Sequence, residues 1–126
     1  MTRILLSIKP EYVDKIISGE KKYEYRKHLS HADIDSILIY STTPVQRIIG
    51  EVSVIGKLSM TPTLLWNTTR TASGITYEKY KDYFADCETA SAYELGVVHV
   101  FERPRKLVEY GITHAPQSFC YISENV

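Results

Sequence analysis

Cysteine is scarce in this chain. Cys87 and Cys120 stand far apart, without the paired spacing of a metal knuckle. A disulfide-stapled framework is excluded, one disulfide stays open, and two reduced thiols fit a cytoplasmic protein. The four histidines are scattered, and the tightest pair, His28 and His31, has no cysteine beside it to complete a zinc site. No metal and no cofactor are therefore expected. Long apolar runs are also missing: no window approaches the ~20 residues of a membrane span. The opening MTRILLSIKPEY lacks the apolar core and cleavage site of a secretion signal. Net charge is absent too, with 15 basic and 15 acidic residues, which argues against an indiscriminate coater of nucleic acid.

What is present is ordinary for a globular protein: 44% hydrophobic and 24% charged residues in 126. That size and balance predict one domain over residues 1–126 around one core. Charge is unevenly placed. Residues 1–28 carry seven Lys/Arg against four Asp/Glu, a net +3 that the rest of the chain cancels. Its densest part is GEKKYEYRK, from Gly19 to Lys27, with six charged residues in nine positions. A solvated edge, a polyanion-binding surface and a catalytic lysine all remain open for it.

Periodicity supplies the elements. RILLSI alternates Ile4, Leu6 and Ile8 as a strand. Pro10 suits the first turn of a helix over PEYVDKIIS, closed by Gly19. KKYEYRK reads as the next strand, with Tyr23, Tyr25 and Lys27 on one face and Lys22, Glu24 and Arg26 on the other. SILIYST and QRIIGEVSVIGKL follow as strands, the second with bulge positions at Gly50 and Gly56. Short helices are predicted over TPTLLWNTT, capped by Thr61, and over TYEKYKDYFAD, with Tyr77, Tyr80 and Phe84 as a core stripe. SAYELGVVHVFERP and PQSFCYIS close the chain as strands. The class is α+β, a small curled sheet or barrel of about five to six strands with two to three flanking short helices.

At GEKKYEYR the spacing Gly19-x-Lys21-x-x-Glu24-x-Arg26 resembles the GxKxxExR motif of the ASCH domain family, whose fold is PUA-like. The likeness extends over about residues 3–122. LLSIKPEYVDKIISGEKKYEYRK is similar to the family's opening strand, helix and strand, and IYSTTPVQRIIGEV to its next two strands with their Ser/Thr-Pro turn. YKDYF, ERPRKL and APQSFCYI resemble its later landmarks. The resemblance implies a PUA-like β-barrel with a cleft for RNA or a modified nucleotide or nucleoside. Members include RNA-binding modules, ribonuclease-like proteins and a branch that deacylates N4-acetylcytidine. That branch has a threonine nucleophile where this chain has Glu24, and a carboxylate is a poor attacker of a carbonyl.

The residues then divide by chemistry. Lys9, Lys21, Arg26 and Lys27 are the candidates to hold phosphates. Glu24, Ser41, Gln117 and Ser118 are the candidates to read a base. Lys21 acts as a base near neutral pH only if its pKa falls by ~3 units, whereas binding needs no such shift; in an enzyme it is the base or an electrostatic stabiliser. The leading expectation is an RNA- or nucleotide-binding module without a membrane partner. A hydrolase in the same cleft is the alternative, and a protein–protein adaptor is a third.

Overall fold

The computed structural model describes residues 1–123. Six strands form one sheet in the order β2-β5-β4-β3-β1-β6. They are β1 (Arg3–Ile8), β2 (Tyr23–Arg26), β3 (Ser36–Ser41), β4 (Arg47–Met60), β5 (Ala90–Arg105) and β6 (Phe119–Tyr121). The sheet curls into a half-barrel carrying three helices, α1 (Pro10–Ser18), α2 (Pro62–Thr69) and α3 (Tyr77–Tyr83). Among the described residues no helix is long and apolar enough to cross a membrane.

β1 and β3 run parallel, with Ile8 beside Ser41 in register. A parallel pair needs a crossover, and α1 with β2 supplies it. The alternation of β1 is buried on both sides. Ile4, Leu6 and Ile8 join Val13 and Ile16 of α1 in the main core. Leu5 lies on the other face with Tyr40, Phe101 and Tyr110, under a short 3₁₀ turn at Leu107–Tyr110. A third cluster gathers Tyr25, Leu65, Tyr80 and Phe84 beneath α2 and α3.

Several local expectations hold. Pro10 opens α1 after Lys9, whose side chain makes no capping hydrogen bond, and Gly19 ends it in the left-handed conformation at φ 87°. Thr61 accepts a hydrogen bond from Leu64 N–H at the start of α2. Register shifts fall next to Gly50 and Gly56. Others shift. The strand in KKYEYRK is only Tyr23–Arg26, because Lys22 N–H already pairs with the carbonyl of Ala72 outside the sheet. β5 continues through Pro104 to Arg105. Gln117 and Ser118 form a bend, and the last strand starts after them at Phe119. Tyr77 is half exposed and lies against Trp66 instead of entering the core beside Tyr80 and Phe84.

β2 and β6 are the two edges of the sheet, and among the described residues no strand pairing joins β2 to β1. β6 pairs with Ile4, Leu5 and Leu6 and stops short of Ser7. A side chain bridges the interval instead: Arg26 Nη2 donates to the Ser7 carbonyl at 2.8 Å.

Candidate functional site

A cleft of about 550 Å³ opens at this interval, within the range of small-ligand sites. The end of β1 contributes Ser7, Ile8 and Lys9, and α1 contributes Tyr12. The motif segment supplies Lys21, Glu24, Tyr25 and Arg26, while Ile75, Lys79, Asp82 and Tyr83 line it from α3 and the loop before it.

Lys21 is the unexpected feature. It is 3% exposed, although lysines are seldom buried. Nζ donates to the Ser73 carbonyl at 2.8 Å and lies 3.9 Å from Glu24 Oε1. It also sits over the rings of Tyr25 and Tyr12, 4.8 and 5.3 Å from their centroids, so aromatic faces replace part of its lost hydration. Burial pushes its pKa down, Glu24 opposes this, and Lys15 and Arg26 add to it by repulsion. Gly74 explains the tight fit. Its φ is +65°, and a Cβ there would meet Lys21 Cβ at 2.4 Å. Gly74→Ala should therefore strain the backbone and drive the lysine out of place. The expected cost is about 1–3 kcal/mol, read as a Tm lowered by several degrees. An unchanged Tm would mean that the loop yields freely.

Glu24 and Arg26 form a fork. Nε and Nη2 of Arg26 both donate to Glu24 Oε2, at 3.1 and 2.9 Å. With its bond to Ser7, Arg26 commits three of its five N–H groups to the protein. It is first a clasp across the open sheet, and among the described residues no hydrogen bond is made by Nη1. Glu24 is 7% exposed despite sitting on the face expected to be wet.

The structure brings four of the expected residues together at the cleft: Lys9, Lys21, Glu24 and Arg26. Lys9 is exposed at its rim. Lys27 stands outside the lining, 5.2 Å over the Tyr83 ring, and its backbone N–H donates to Tyr83 Oη at 3.2 Å. Ser41 is buried at the end of β3, next to Ile8 but not facing the cleft. Gln117 and Ser118 are exposed and also outside the lining, though neighbouring Pro116 accepts a 2.8 Å hydrogen bond from Ser7 Oγ. Sequence reasoning missed Ser73, Gly74, Lys79, Asp82 and Tyr83. The Ser-Gly pair between two helices was a readable turn signal, but nothing in it shows that the turn lands on Lys21. Among the described residues no group of three or more His, Cys, Asp or Glu side chains is placed to hold a metal.

A curled six-stranded half-barrel with this cleft beside its open edge defines a PUA-like α+β protein. The ASCH domain model matches residues 6–105, and the chain belongs to that family. It is 29% identical over 92 residues to the ASCH domain-containing ribonuclease of Zymomonas mobilis, covering 72% of this chain and 62% of that protein. It is 25% identical over 120 residues to the ATP synthase subunit alpha of Ureaplasma parvum, covering 94% of this chain and 15% of that one. The chain thus spans less than two thirds of either curated relative. The crystal structure of ASCH from Zymomonas mobilis superposes with a TM-score of 0.90 at 26% identity, over 98% of this chain and 89% of that one.

Proposed function

We propose that the cleft binds single-stranded RNA and cleaves it in the manner of a ribonuclease. The observation that carries this is Lys21, a desolvated cation built into the wall of an open cleft. An ordered charge in a poorly hydrated site stabilises developing negative charge far better than a mobile surface lysine. In internal transesterification the 2′-oxygen gives its proton to water and bonds to the adjacent phosphorus. The bond to the 5′-oxygen then breaks, and that oxygen takes a proton from water. The products are a 2′,3′-cyclic phosphate and a 5′-hydroxyl. Lys21 would hold the charge that builds on the phosphoryl oxygens, with Lys9 and Lys79 holding neighbouring phosphates at the rim. Tyr12 and Tyr83 offer ring faces to a base. The likeness to a curated ribonuclease supports the same reading. An N4-acetylcytidine hydrolase has less behind it, because the Glu24 carboxylate is tied to Arg26.

The test is a short labelled RNA incubated with purified protein, with binding followed at 50 and 200 mM salt. Two or three phosphate contacts predict binding weakened about 5- to 20-fold by the added salt, together with fragments ending in cyclic phosphate. Binding indifferent to salt would remove the phosphate roles. Binding without fragments would leave a binder only.

A further inference from the structure

We propose that Glu24 Oε1 and Lys21 Nζ form a slot for a ribose 2′-hydroxyl, making the cleft selective for ribonucleotides over deoxyribonucleotides. The inference rests on the RNA reading above and names the sugar group that the inner wall takes.

Both N–H groups that Arg26 gives to Glu24 go to Oε2. Among the described residues no hydrogen bond is made to Oε1, and Lys21 Nζ lies 3.9 Å from it, beyond hydrogen-bond reach. An ionised carboxylate can only accept, and an oxygen open to the cleft that gives up water to a ligand without gaining a donor loses that interaction at a cost. Glu24 is only 7% exposed, and what it exposes lines the cleft. A ligand that fits must therefore bring a donor to this point. Lys21 has the opposite need. One of its three N–H groups is given to Ser73, and its remaining capacity also borders the cleft.

An acceptor and a donor 3.9 Å apart suit one atom that both donates and accepts. An oxygen about 2.8 Å from each fits there with an angle of about 90° between the two bonds. Of the groups on a nucleotide, a sugar hydroxyl has this dual character. A base N–H only donates and a base carbonyl only accepts, while a phosphate oxygen brings no donor for Glu24 and so takes the third N–H of Lys21, outside the slot. The base therefore lies farther out, along Tyr12 and Tyr83, and Glu24 reads the sugar, not the base. The 2′-hydroxyl is also the group that distinguishes RNA from DNA.

Titration by NMR with the four ribonucleoside 5′-monophosphates, their 2′-deoxy forms and their 2′-fluoro-2′-deoxy forms tests this without a cleavable linkage. Fluorine keeps the sugar pucker and removes the donor. The expected result is that the ribonucleotides bind at least tenfold tighter than both analogues. Glu24→Gln should shrink that ratio to below about threefold by weakening the acceptor, as a lost charged hydrogen bond requires. Should that variant fail to fold, Lys21→Met is expected to shrink the ratio likewise. Equal affinity of wild type for the three sugars would overturn the slot while leaving RNA binding standing. No binding of any of them would overturn the RNA reading and the slot with it.

Discussion

Lys21→Met should lower RNA cleavage at least 100-fold and leave the protein folded. A preorganised charge aimed at the developing negative charge is worth about 10²–10³ in rate, and methionine keeps the length and packing of the lysine stem without the charge. Stability should not fall. Lys21 is desolvated, so replacing it by an apolar chain relieves a burial penalty that offsets the donor lost by the Ser73 carbonyl, and Glu24 keeps Arg26 as its partner. The pH dependence checks the same point. The folded pKa lies below the ordinary 10.5, so between those two values the unfolded chain binds more protons than the native one. Wild-type stability should therefore rise with pH through that window, relative to the variant. Cleavage should fall over the same window as the cation is lost. Parallel Lys21→Met and wild-type curves, or full activity in the variant, would show that Lys21 only fills space.

Arg26→Met should be the most damaging single change to the fold, costing about 3 kcal/mol in urea denaturation. Removing one member of a buried pair strands the other charge, here Glu24, and the Ser7 carbonyl loses its donor at the same time. The double variant Arg26→Met with Glu24→Leu should recover much of this loss, because the stranded carboxylate goes too. A single-variant loss below about 1 kcal/mol would mean that the bond from Arg26 to Ser7 does not hold the open edge together.

How much of this was legible in the sequence depends on the range of the interaction. α1 could be read from Pro10, its apolar stripe and Gly19, all of which act within a few residues. The α+β half-barrel followed from the order of strands and from the motif. Long-range contacts were not legible. Tyr23–Arg26 has the alternation of a strand with one wet face, yet Glu24 is buried beside Tyr25 because Lys21 and Arg26 converge on its carboxylate. Lys21 reads as solvated until the Ser73 carbonyl and Gly74 are seen to arrive from more than fifty residues away. Ser41, Gln117 and Ser118 were singled out by residue type and turn position, neither of which says which way a loop faces.

The three-residue length of β6 has a further consequence. Were pairing to run on past Leu6, the added strand would compete with Arg26 for the Ser7 carbonyl and take up the interval where the cleft opens. A shorter last strand thus leaves room at the threshold for a guest.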